Sequence, residues 1–151
     1  MKFLLVAIVA LAPFSLAPSR AASPIAVVVG PQSSLHNLSM SDLRRVYLGY
    51  AGRVDRVEGI QVVEFTPLRR EFYERVLEMS ESRVKRHWIG LLFAGEATVP
   101  PKEFDQIPEV RDYLAGNAKA IAFVPLNQAG PPLKVISVDG FSPSSTEYPL
   151  R

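Results

Sequence analysis

Hydrophobic and polar positions alternate between two periods along this chain. Ile25 to Val29 is an unbroken apolar run rich in β-branched residues, closed by Gly30-Pro31. That pattern predicts a strand buried on both faces, the habit of parallel sheets covered by helices. After the polar loop from Gln32 to Leu38, Ser39 and Asp42 form a capping-box-like start. The helix so begun buries Leu43, Val46 and Tyr47 and ends at Gly49. Ile60 to Phe65 reads as a second strand running into Thr66-Pro67, with Thr66 as cap and Pro67 at the first helical position.

Leu68, Phe72, Tyr73, Val76 and Leu77 give the next helix its inward stripe. A further helix carries Val84, Trp88, Leu91 and Leu92, with Gly95 after its end. The stripe around Trp88, Leu91, Leu92 and Phe93 repeats with the helix and reads as core. Pro100-Pro101 marks a loop, and Pro108 opens a short helix with Val110, Tyr113 and Leu114, stopped by Gly116-Asn117. Ala120 to Val124 and Leu133 to Val138 are the last two strands. Residues 141 to 151, with their serines and prolines, read as a loosely held tail. Strand, helix, strand, three helices and two strands imply one α/β domain, over residues 22 to 140, with a mainly parallel sheet flanked by helices.

Composition narrows the chemistry. The 151 residues include no cysteine and two histidines, and 48% are hydrophobic. A disulfide framework, a thiol nucleophile and thiolate metal sites are thereby excluded. The formal charge of +2 is carried by the leader. Residues 1 to 21 have the form of a signal peptide: Lys2, the short apolar run Phe3 to Ala12, then Ser19-Arg20-Ala21 at the cut. That run is too short to span a bilayer, so export to the periplasm is expected, without stable membrane insertion. Cleavage removes Lys2 and Arg20 and leaves equal numbers of basic and acidic residues, so nucleic acid is not an expected partner.

The junction at Thr66 holds the most suggestive chemistry. A helix N-terminus presents unpaired amides and favours anions, yet Arg69 and Arg70 stand in its first turn. An anion or acidic partner would account for them; so would i,i+4 pairs of Arg70 with Glu74 and Glu71 with Arg75. Ser33 and Ser34 follow the first strand and are expected to face the same crevice, since ligands gather at the carboxyl ends of strands. They read equally well as turn residues. His36 and His87 lack neighbours at metal-ligand spacing, and no nucleophile elbow, phosphate-binding loop or dinucleotide motif occurs. Neither enzyme chemistry, nor a metal, nor a cofactor is expected.

Four phrases in order resemble the periplasmic phosphate-binding proteins of ABC transporters. The first, Leu38 to Gly49, ends Val46-Tyr47-Leu48-Gly49, like that family's "I-F/Y-L-G". Leu68-Arg69-Arg70-Glu71-Phe72 follows, then Trp88 to Gly95 with Pro100-Pro101. The last, Asn117-Ala118-Lys119-Ala120-Ile121-Ala122-Phe123-Val124, is similar to "N-P-G-A-I-G-Y-V". The resemblance implies a single lobe of the type-two periplasmic binding-protein fold, since nothing corresponds to the glycine-rich first ligand loop of two-lobed members. It implies phosphate or another small oxyanion as ligand, held by the Thr66 hydroxyl, the Leu68 amide and Arg69, with Ser33 and Ser34 as contributors. Pro67 and Leu68 depart from the family's Ser-Gly-Thr-Arg turn and remove an amide and a hydroxyl. Two readings follow: an oxyanion binder in phosphate uptake or sensing, or a protein-interaction module with a degenerate anion site. In the second, a partner protein or a second copy covers the exposed face of the lobe.

Overall fold

The computed structural model describes residues 23–50, 53–54, 56–96 and 99–151; the expected signal peptide lies outside them. Among the described residues the chain is mixed α/β with four α-helices. β1 (Ile25–Val29) is fully buried along its whole length, so both its faces are covered. The two-residue β2 (Asn37–Leu38) leads to α1 (Met40–Tyr47). The Ser39 hydroxyl accepts the Asp42 amide at 3.0 Å and donates to the Asp42 carboxylate at 2.8 Å, which is the cap the sequence predicts. Gly49 ends the turn at φ +79°, where a Cβ would stand 2.8 Å from the Trp88 ring.

The short hairpin of β3 (Arg53–Val54) and β4 (Val57–Glu58) precedes β5 (Gln61–Phe65). The helix after β5 is not uniform: a 3-10 turn Thr66–Leu68, then α2 (Arg69–Phe72), then a π turn Tyr73–Leu77 ending at Glu78 with φ 54°. α3 (Glu81–Phe93) follows, capped by Ser80. β6 (Lys102–Phe104), α4 (Ile107–Ala115) and β7 (Ala120–Pro125) complete the centre. The run Leu133 to Val138 divides into β8 (Lys134–Val135) and β9 (Ser137–Val138), which join different sheets.

The main sheet has the order β6-β5-β7-β1-β8. β6, β5 and β7 run parallel; β1 is antiparallel to both β7 and β8. Four strands therefore point one way and β1 alone points the other. Continuous apolar sequence in β1 reports burial on both faces, not direction. On one face Phe72 stacks on Phe123 at 3.9 Å and Tyr47 lies 4.6 Å from Phe72. α4 packs along β5, β6 and β7.

Two expectations about packing are corrected. Leu92 and Phe93 are not core: they are 51% and 89% exposed, because Val84 and Trp88 alone turn α3 inward. The tail is not loose. Tyr148 and Leu150 are buried, and the Ile25 amide donates to the Leu150 carbonyl at 2.9 Å, so the tail anchors the start of β1.

Candidate functional site

β5 and β6 place Glu64 and Glu103 directly opposite each other across a parallel ladder. Like charges in that relation repel. Arg69, one turn beyond the end of β5, resolves the conflict: its Nε lies 3.2 Å from Glu64 Oε2 and its Nη2 lies 3.1 Å from Glu103 Oε2. The Glu64 side chain is almost wholly buried, and its other oxygen accepts a hydrogen bond from the Tyr73 hydroxyl. The Thr66 hydroxyl donates to Asp105, just past β6. Thr66 and Arg69, the two side chains expected to hold an oxyanion at this junction, are thus already turned to carboxylates of the chain itself.

Titration behaviour follows from this arrangement. Burial pushes the Glu64 carboxyl above its ordinary range, against the Tyr73 hydrogen bond and the Arg69 charge, which pull it down. Burial and Glu64 together raise the Tyr73 hydroxyl well beyond its usual value. Burial works against the Arg69 charge, yet Glu64 and Glu103 outweigh it and hold the guanidinium ionised. Beside this cluster opens a cleft of about 460 Å³, floored by Glu64 and Tyr73 and walled by Lys85, Trp88, Leu92 and Pro100. Among the described residues no three His, Asp or Glu side chains converge to hold a metal ion.

The structure separates the residues that sequence reasoning placed in one crevice. Because β1 runs against its neighbours, its carboxyl end meets Ile121, which pairs with Val62 at the start of β5. Ser33 and Ser34 therefore lie at the opposite end of the sheet from Thr66 and Arg69. Ser33 is buried, its hydroxyl accepting the Leu35 amide at 3.3 Å and its carbonyl accepting the Lys134 ammonium. Ser34 borders a separate hollow with Arg56 and Lys119. Thr66 is no helix cap: it starts the 3-10 turn and makes no capping bond. Leu68 is half-buried between the two turns. Of the expected helix pairs, Glu71 and Arg75 meet at 2.6 Å. His87 donates from Nε2 to the Leu48 carbonyl at 2.8 Å, closing the end of α1, and His36 is exposed.

Sequence reasoning missed Glu64, Tyr73, Glu103 and Asp105. Glu64 did carry a signal: it is the one charged residue of its strand, set between Val63 and Phe65, a position that demands a partner. β6 gave none, since three residues with two charges do not show a strand's period.

No protein-family model matches the chain, and no curated protein matches it. Solved structures do. An ABC-type phosphate transport receptor from Vibrio cholerae aligns with TM-score 0.55 and 16% identity, over 81% of this chain and 48% of its own. A protein from Clostridium perfringens, described as a phosphate ABC transporter substrate-binding protein with phosphate bound, aligns with TM-score 0.60 and 19% identity, over 80% and 46%. The likeness is one of fold. The chain spans about half the length of these receptors. Both are transport-type binding proteins rather than enzymes. Among the described residues no helix is long and apolar enough to cross a membrane.

Proposed function

We propose that this chain is an exported, periplasmic protein-interaction module built on one lobe of a phosphate-receptor-like fold, with its oxyanion site closed by its own carboxylates. The observation that carries this reading is the double engagement of Arg69 by Glu64 and Glu103. An incoming phosphate would have to displace two carboxylates that already pair with the guanidinium, and would meet their negative charge together with that of Asp105. Charge-assisted bonds gain their strength where water is excluded, and a one-lobed site with Glu103 on its rim is open to water.

A second reading keeps phosphate as the ligand, in uptake or sensing. It is favoured by the phosphate receptors among the structural neighbours, one of them with phosphate bound. Calorimetric titration of the purified protein with phosphate, against sulfate at matched ionic strength, separates the two. No saturable heat up to about 1 mM, a binding energy weaker than about 4 kcal/mol, is the expected result. Saturable heat with phosphate that disappears in Arg69→Ala would overturn the closed site. Crosslinking in the periplasm of the source cell then identifies the protein contact.

A further inference from the structure

The C-terminal half of α3 exposes Ile89, Leu92 and Phe93, and Val99 stands exposed beyond it. These are four of the five large apolar side chains found exposed among the described residues. Their arrangement is ordered. Lys85, Ile89, Leu92 and Glu96 follow one another at spacings of four, three and four residues, the rhythm of a helix-pairing seam. Arg86 and Phe93 flank that seam, and all six side chains are exposed.

Glu96 lies beyond the last helical turn, yet its place is fixed. Gly95 takes φ +71°, the Gly95 amide donates to Leu92 at 3.3 Å and the Glu96 amide donates to Leu91 at 3.2 Å. This is the double bond of a Schellman ending, which usually carries an apolar residue where Glu96 stands. Gly90 adds a further oddity: it sits in mid-helix, exposed, with open space where a Cβ would be. A glycine there costs about 1 kcal/mol relative to alanine, and nothing within the chain requires it. A small residue beside the seam lets a second helix approach closely.

We propose that α3 is a self-pairing surface whose occupant is a second copy of this chain, in an antiparallel two-fold contact. An axis midway between Ile89 and Leu92 sets Ile89 of one copy on Leu92 of the other and brings Lys85 opposite Glu96 at both ends. Within the stretch from Lys85 to Glu96 the cation precedes the apolar pair and the anion follows it, so this part of the seam is complementary to itself only when reversed. That is the requirement of a two-fold interface. The inference names the partner for the protein-contact reading above and rests on that reading; Lys85, Ile89 and Leu92 also border the cleft beside Arg69 and Glu103. A contact made by one helix falls at the small end of specific interfaces, below about 1,200 Å² in total, so the pair should be weak and reversible.

Sedimentation equilibrium of the purified protein up to about 0.1 mM tests it, a range that captures micromolar association. The expected result is a monomer–dimer equilibrium weakened about tenfold or more by Ile89→Ser or Leu92→Ser. Lys85→Glu should weaken it as well, and adding Glu96→Lys should restore it. Since these side chains are exposed, their replacement should leave the thermal midpoint of the monomer unchanged. A monomer throughout, or a dimer indifferent to all four substitutions, would overturn self-pairing. So would a monomer that binds vesicles containing phosphatidylglycerol through the same face. A monomer that crosslinks to a protein of different mass overturns self-pairing and leaves the protein-contact function standing; saturable phosphate binding by a dimer does the reverse.

Discussion

The two sides of the central sheet solve the problem of burial by different means. Toward β1 and β7 the packing is apolar apart from the Tyr47 hydroxyl, which donates to the Val63 carbonyl: the β1 residues are fully buried, and Phe72, Phe123 and Tyr47 nest against one another. Toward β5 and β6 the sheet buries a carboxylate, and must then supply Tyr73, Arg69 and indirectly Glu103 to tolerate it. The first region gains stability in proportion to area and has no alternative state. The second is a balance of large opposing terms, where removing one partner exposes the cost of the rest. What separates them is how each should answer to substitution.

Truncation in the apolar region should have the largest effect. Phe72→Ala empties the space between Tyr47 and Phe123 and is expected to cost about 4 kcal/mol, measured by urea unfolding. A cost below about 1 kcal/mol would mean that the stack contributes little to the folded state. Arg69→Ala comes next. It strands Glu64 in a buried setting, and partial exposure of the arginine reduces the expected cost to about 2 kcal/mol. Pairing it with Glu64→Gln should recover much of that loss, because the neutral side chain no longer needs a counter-charge. If the two substitutions simply add, the bridge between the strands is not what holds Arg69 in place.

How far these regions were legible in the sequence follows the same division. Apolar periodicity located β1, α1, β5, α3, α4 and β7 because burial is written residue by residue. Strand direction is not written so locally, and the reversal of β1 moved Ser33 and Ser34 away from Thr66. Nor does helix period alone tell a buried stripe from an exposed one, which is how Leu92 and Phe93 passed for core. Arg69 was found as a cation near a ligand-like turn, while its partners lay on β6, too short to show a period. Tail burial was hidden in the same way, since Tyr148-Pro149-Leu150 is too short a stretch to show a period.

A smaller effect should appear in the pH dependence of stability. The Glu64 carboxyl holds its proton more tightly when folded than when unfolded. The stability it contributes is therefore complete below the unfolded value, near 4.5, and is lost as pH rises through the raised folded value. Urea midpoints followed upward from pH 4 should fall across that window in the wild type and fall less in Glu64→Gln. Phe72→Ala should shift the whole curve without changing its slope, since the Tyr47 hydroxyl in that stack is pushed by burial far above this range. An identical slope in wild type and Glu64→Gln would assign the pH dependence to other groups.

Glu103→Gln should barely change stability and is the most informative for function. Its side chain is 57% exposed, and exposed ion pairs contribute about 0.5 kcal/mol. What changes is the occupancy of Arg69, whose outer edge loses its carboxylate while Glu64 still holds Nε. Combined with Asp105→Asn, which quiets the charge beside Thr66, the variant leaves Glu64 as the one carboxylate where three crowded the site, beside a cation, a hydroxyl and two neutral amides. If closure by these carboxylates is what excludes an oxyanion, the double variant should bind phosphate at least tenfold more tightly than the wild type in the same titration, a gain of about 1.4 kcal/mol. Unchanged silence in a stable double variant would place the loss of binding elsewhere. Pro67 and Leu68 are then next to test: the missing amide and hydroxyl, rather than the added charge, would have ended the oxyanion chemistry of this lobe.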